Sequence, residues 1–306
     1  MTNYIYCGNR SSVLIHMLKL GITNISIFAI KNSWLHNELT SFHLPSFIIN
    51  SKEDLIDKIC DFNYDYFVSC GCKYILPIST LMKKNPSSKY INIHPSYLPD
   101  LKGADPIPAS ILFSRDSGVT CHVMDDSIDG GPIISQHKIP YYCGLDSLTL
   151  YKLCFSLEPF VFEKAYNLDF EPTLFSKKED LTNDLIYYSF KKGDNIFHQS
   201  ISSGSNLVST ILAFNTPSKS FSFSISDSKI VFYVRFASLL QSESFEHLEI
   251  DNNEVRWSIV FCLDNDLILS NGNSFVRFFD VKPSPKHEYV GKLLTPPHLN
   301  NELDLK

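Results

Sequence analysis

Short β-branched and aromatic runs alternate with segments of helical period through the first half of the chain. This alternation constrains the fold more than any other feature, because strands separated by helix-length segments pair in parallel through crossover connections. Tyr4-Ile5-Tyr6 reads as a strand, Ser12 to Leu20 as a helix stopped by Gly21, and Ile25 to Ile30 as a second strand. The pattern recurs. Ser46 to Ile49 is a strand, Lys52 to Phe62 a helix with Leu55, Ile56 and Ile59 on one face, and Tyr66 to Ser69 and Tyr90 to Ile93 are further strands. A proline-bearing loop then runs from Pro95 to Pro106, following a strand where open α/β sheets hold their ligands.

A short helix near Ile107 to Phe113 leads to two strands, Val119 to Met124 and Ile133 to Ile139, separated by the acidic, glycine-bearing segment Asp125 to Gly131. Ser147 to Asn167 closes this half as a long helix, and the polar stretch Glu171 to Asp184, with Lys177-Lys178-Glu179-Asp180, marks a boundary. Beyond it, Phe221 to Ile225, Ile230 to Phe236, Trp257 to Cys262, Leu267 to Ser270 and Ser274 to Asp280 read as strands. Asp251-Asn252-Asn253, Asp264-Asn265-Asp266 and Asn271-Gly272-Asn273 supply the turns. At 306 residues the chain has room for two domains. The expected architecture is an α/β domain over residues 1–175 built on a Rossmann-like open, mostly parallel sheet, a connector over 176–200, and a smaller β-rich, barrel-like domain over 201–306.

Composition excludes some partners. The formal charge is −6, and arginine is confined to Arg10, Arg115, Arg235, Arg256 and Arg277, whereas a nucleic-acid footprint draws on clustered Lys and Arg. Met1 to Cys7 lacks the basic region and apolar run of a leader, and no run reaches about 18 apolar residues, so the expected location is the cytoplasm and no membrane partner is foreseen. The eight cysteines are scattered, and the one close pair, Cys70-Gly71-Cys72, has a single intervening residue. Reduced thiols are expected, with no metal site. The turn Gly8-Asn9-Arg10-Ser11-Ser12 follows the first strand without the G-x-G-x-x-G of a dinucleotide site.

The chemistry-bearing residues crowd into Asn92 to Gly131. Asn92 and His94 are two apart, so on a strand they share a face; an amide can donate to a developing oxyanion, and an imidazole can donate to it or relay a proton near neutral pH. Taken alone, the pair could equally be a capping Asn and a partly buried His. The wider run, Asn92-Ile93-His94-Pro95-Ser96-Tyr97-Leu98-Pro99, then Gly103, Gly118-Val119-Thr120-Cys121-His122 and Ile128-Asp129-Gly130-Gly131-Pro132-Ile133-Ile134, resembles the formyltransferase family. Tyr97 replaces a leucine of that family's loop. Residues 211–214, Thr216-Pro217, Phe221 and Phe278 to Pro283 carry a weaker likeness to the C-terminal β domain of some members.

The resemblance implies a catalytic trio of Asn92, His94 and Asp129, and 10-formyltetrahydrofolate as formyl donor. Attack of an amine on a formyl carbon creates an oxyanion and a cationic nitrogen. Asn92 and His94 would hold the first, while Asp129 orients His94 and passes on the amine's proton. The resemblance also implies folate contacts from Lys73, Tyr74, Ile75, Leu76, Gly103, Asp125, Asp126, Ser127 and Ile128, and acceptor contacts from Asn9, Arg10, Ser11 and Lys102. His122 is read as structural. Three acceptors stay open: a nucleotide-linked amino sugar, which is preferred, methionyl-tRNA, and another small amine or hydroxylamine. From Lys177 to Lys306 there are 13 Lys and Arg against 16 Asp and Glu, a net of −3, which disfavours tRNA. The oligomeric state is open, a homodimer included.

Overall fold

Five parallel strands, β1 (Tyr4–Gly8), β2 (Ile25–Ile30), β3 (Ser46–Ile49), β4 (Tyr66–Cys70) and β5 (Lys89–His94), lie in the order β3-β2-β1-β4-β5. β6 (Ser117–Val123) and β7 (Ile133–Ile139) extend this sheet antiparallel beyond β5. The computed structural model describes residues 2–173, 184–201, 203–224, 230–245 and 256–284; Lys177 to Asp180, Ile225 and Asp251 to Asn253 lie outside them. The mostly parallel, Rossmann-like sheet expected from the alternation is what the structure contains.

The order reverses beside β1. The chain runs outward from β1 through β2 to β3 and returns to β4 on the other side, which opens a crevice at the C-terminal ends of β1 and β4. β1 is buried along its whole length, as a strand covered on both faces must be. One covered face packs Ile5, Cys7, Phe28, Ile30, Ile49 and Phe67 against Leu55 and Ile59 of α3 (Lys52–Asp61) and Leu81 of α4 (Ile78–Lys84). Each such side chain, fully buried, contributes about 1.5–3 kcal/mol relative to exposure. α3 starts where Ser51 accepts the Asp54 amide, with Glu53 and Asp54 in the first turn and Lys58 in the last, as the helix dipole favours.

Two helices in this half were not foreseen, α4 and α2 (Trp34–Glu38). Both are short: α2 is set by the Ser33 side chain accepting from the His36 amide, whereas α4 follows Pro77 without a side-chain cap of its own, and its Ser79 amide donates to the distant Asp126. α1 (Ser12–Lys19), α5 (Pro106–Leu112) and α6 (Ser147–Tyr166) fall where helical period placed them.

Two compact units divide the chain, and they interleave: one comprises Met1–Pro106, Asp116–Pro140 and Tyr151–Ser189, the other Ile107–Arg115, Tyr141–Leu150 and Phe190–Lys306. The second unit is led by α7 (Gly204–Ala213), capped by Ser203. Its β-rich remainder forms two four-stranded antiparallel sheets. One joins β8 (Asn215–Thr216), β9 (Lys219–Ser224), β10 (Val231–Val234) and β15 (Lys282–Ser284). The other joins β11 (Phe236–Leu240), β12 (Ser258–Leu263), β13 (Asp266–Ser270) and β14 (Phe275–Phe279). No helix among the described residues is long and apolar enough to cross a membrane.

Candidate active site

His94 is the last residue of β5, and Asn92, two residues earlier, projects from the same face. Pairing with β6 sets Asn92 directly opposite His122, and the Asn92 Nδ2 donates to His122 Nε2 at 3.1 Å. His122 Nδ1 lies 2.9 Å from the Val123 carbonyl. A carbonyl only accepts, so Nδ1 carries the proton and Nε2 is the bare nitrogen. Burial keeps this ring neutral, pushing its pKa down to about 4 against the opposing pull of the Val123 carbonyl and of Asp129 and Asp125.

His94 is turned the other way. Its Nε2 donates to the Leu101 carbonyl at 3.2 Å, which leaves Nδ1 as an acceptor facing Asp129 Oδ1 at 3.7 Å. Burial lowers the His94 pKa, and the nearby Asp129 carboxylate opposes that shift. At this separation the two acceptors make no direct hydrogen bond, and a proton brought between them would be held by both. His122 Nε2 stands 3.8 Å from the same Asp129 oxygen. The ring of His94 is thus oriented by the Leu101 carbonyl, a role that the sequence reading gave to Asp129.

Asp129 is in turn fixed by Gly103, whose amide donates to Oδ2 at 3.0 Å. Leu101 and Asp129 both occupy the left-handed region, at φ 57° and 48°, which costs a non-glycine residue about 1–3 kcal/mol. A main-chain strap compensates. Lys102 donates its amide to the Ile186 carbonyl and accepts from the Tyr188 amide, both at 3.0 Å, while Asp100 Oδ1 takes the Leu101 amide at 2.9 Å and the Ile186 amide at 2.8 Å. Gly103, at φ +104°, passes so close that a Cβ there would meet the Tyr188 carbonyl at 2.6 Å. Residues 186–189, read from sequence as connector, hold the loop that sets His94; no local signal announced this.

Ser79, just after the first expected folate segment, bonds Asp126 of the second through its side chain and through its amide at 3.0 Å, and these bonds hold the Asp126 carboxyl below its usual range. Ile75 and Ile128 are exposed, as an apolar platform requires, but Leu76 is buried in the core cluster, so of Leu76 only the main chain can meet a ligand. Tyr74 packs on that core with its hydroxyl on the Asn50 carbonyl, and the Lys73 ammonium lies over the Tyr74 ring. Asp125 is occupied by the Ser127 amide and hydroxyl.

On the acceptor side the structure puts Arg10 to a different use. Its Nε and Nη2 pair with Glu158 at 3.1 and 2.5 Å, Nη1 bonds the Asn9 side chain at 3.2 Å, and Phe155 lies against the guanidinium. Both charged side chains are buried. The guanidinium expected to meet an anionic acceptor is, in this structure, engaged by Glu158 and Asn9. Ser11 starts α1 without a side-chain cap, and Lys102 remains at the rim, its ammonium 3.5 Å from where a Cβ on Gly130 would sit.

Because burial depresses both histidines below the ordinary value near 6.5, the unfolded chain takes up their protons first, and stability falls as pH drops from about 6.5 toward 4. The His122 share is on the order of 3 kcal/mol. Urea unfolding at pH 7 and pH 4 should show the His122→Gln variant losing less stability than the parent by about that amount; equal losses would remove His122 from the acid response.

Residues 44–165 match the formyl transferase family. The chain is 32% identical over 131 residues to methionyl-tRNA formyltransferase of Wolbachia pipientis, covering 42% of this chain and 35% of that protein. It is 30% identical over 96 residues to dTDP-4-amino-4,6-dideoxyglucose formyltransferase of Mycobacterium tuberculosis, covering 31% of this chain and 38% of that protein. It therefore spans about a third of the length of these curated relatives. An N-formyltransferase from Helicobacter canadensis, solved in complex with folinic acid and dTDP-3-aminofucose, shares the fold with a TM-score of 0.66 at 18% identity, over 92% of this chain and 100% of that one.

Proposed function

We propose, taking residues 44–165 as a formyl transferase domain, that the chain moves a formyl group from 10-formyltetrahydrofolate to the amine of a nucleotide-linked amino sugar in the cytoplasm. One observation carries the reading: a neutral, buried His94 turns a bare nitrogen toward the carboxylate of Asp129, beside the amide of Asn92. When bound, 10-formyltetrahydrofolate supplies the formyl carbon that the amine attacks and departs as tetrahydrofolate. The exposed Ile75 and Ile128 on segments tied together by Asp126 suit a flat heteroaromatic ring, with neighbouring main-chain groups for its polar edge.

Each residue then has a defined task. Asn92 spends one N–H on His122 and can offer the other to the negative charge developing on the formyl oxygen; one such donor contributes about 2.7–4 kcal/mol. The proton lost by the attacking amine is received between His94 Nδ1 and Asp129 Oδ1, the two acceptors 3.7 Å apart. His94, then charged, can donate from Nδ1 to the same oxygen and return the proton to the departing nitrogen. A neutral resting imidazole is what this relay needs, and burial supplies it.

The amino-sugar acceptor is supported by the shared fold with the dTDP-3-aminofucose complex and by the acidic balance of the chain. Similarity to methionyl-tRNA formyltransferase keeps a second reading open. Incubating the protein with 10-formyltetrahydrofolate and a panel of nucleotide-linked amino sugars, with mass spectrometric detection of formyl addition, tests the first. A small acceptor with two phosphates should lose affinity only weakly with salt, whereas tRNA binding falls steeply. Lys102→Ala should raise the Michaelis constant for the sugar about tenfold and leave that of the donor unchanged. Formylation of methionyl-tRNA with no sugar accepted would reverse the assignment.

A further inference from the structure

The hydrogen bonds around Asn92 leave one question that the trio alone does not answer: what decides which end of its carboxamide faces the reaction. An amide side chain has a donor end and an acceptor end of nearly the same shape, so a half-turn about its terminal bond would present an oxygen where the oxyanion needs an N–H. We infer that His122 is a positioning residue, whose ring nitrogen Nε2, left bare by the Nδ1–H bond to the Val123 carbonyl, locks Asn92 with its NH2 group turned into the site. The inference rests on the formyl-transfer reading for its consequence, though not for its geometry.

Three features make the lock one-way. The β5–β6 register sets the two residues face to face, so Asn92 has His122 as its hydrogen-bond partner. The Val123 carbonyl is itself held: the Met124 amide of the same peptide unit donates to the Tyr90 carbonyl at 2.8 Å, and Gly131 packs against the Val123 carbonyl oxygen where a Cβ would lie 1.9 Å away. Only glycine admits the chain there. The ring is 2% exposed, and the ionisable groups facing it are His94, Asp125 and Asp129, of which Asp129 Oδ1 stands 3.8 Å from the same Nε2. Were Nε2 to carry the proton, it would bond an acceptor, either Asp129 or the flipped oxygen of Asn92. In the first case the carboxylate that takes the amine's proton is engaged and Asn92 loses the acceptor that orients it; in the second the carboxamide is reversed and the oxyanion donor is lost. One tautomer of a residue that need not touch the substrate thereby sets two of the three reacting groups.

Nitrogen-15 NMR of protein labelled at histidine tests the geometry without turnover. At pH 7 His122 should show a protonated Nδ1 and a bare Nε2; the opposite tautomer, or a charged ring, would overturn the proposal. Kinetics test the consequence. His122→Phe should lower the turnover number for formyl transfer by about a hundredfold with the donor's Michaelis constant nearly unchanged, while His122→Gln, whose side-chain oxygen can still accept from Asn92, should recover part of it. In an Asn92→Ala background, His122→Phe should cost almost nothing further, because the group it positions is gone. Full, additive losses in the double variant would show that His122 acts on its own account. If His122→Phe does not fold, the tautomer and the His122→Gln measurement still decide; a parent protein without formyl transfer but with the expected tautomer would sink the functional reading alone.

Discussion

Asp129→Asn is expected to lower formyl-transfer turnover by at least about a hundredfold while leaving fold and donor binding intact. The substitution keeps shape, and an amide oxygen can still accept the Gly103 amide that now meets Oδ2 at 3.0 Å, so the loop should hold its course. What changes is the side facing His94. The new NH2 group would donate to Nδ1, the nitrogen that is bare in the native site, and so fill the place where the amine's proton is received. The negative charge that supports a transient imidazolium would also vanish. Steady-state kinetics, with donor affinity by calorimetry and melting as controls, measure this directly. Near-normal turnover in a folded variant would take Asp129 out of the mechanism.

The parts of this site that could be read from the sequence are those expressed by local period. Asn92 and His94 share a face because a strand repeats every two residues, and the alternation of strands with helical segments placed that strand in a parallel sheet with its ligand crevice. The helix α2 was missed because its five residues are too few to display a period; α4, as long as α5, was missed although its buried residues Ile78 and Leu81 are three apart. The pairing of His122 with Asn92 depends on register between antiparallel strands separated by the 95–116 segment, which no window of sequence reports. The strap is equally silent, since Ile186 and Tyr188 work through main-chain groups that every residue possesses. Leu76 was assigned to the ligand beside Ile75; only packing shows that the first faces the core and the second faces outward.

Arg10 is the clearest case, because its partner Glu158 lies 148 positions away and the family resemblance implied acceptor contacts from the turn that carries it. In the structure this ion pair is buried, with Ser12 and Cys70 also donating to Glu158 and Phe155 against the cation. Breaking such a pair leaves one charge without compensation in a poorly polarisable interior, which costs about 3–5 kcal/mol. Glu158→Ala and Arg10→Ala should therefore each destabilise the protein by that amount, visible in urea unfolding and as a melting point lower by on the order of 10 °C. Removing both charges should cost less than removing either. The double variant Arg10→Met with Glu158→Leu replaces the pair by apolar groups of similar size and is expected to recover most of the loss, since a buried pair and a well-packed apolar contact are often close in stability. A structural ion pair and an acceptor-binding cation give opposite signatures here. If Arg10→Ala melted normally and changed only the Michaelis constant of the sugar, the guanidinium would belong to the acceptor after all, and its contact with Glu158 would be the resting position of a side chain that swings out when substrate arrives.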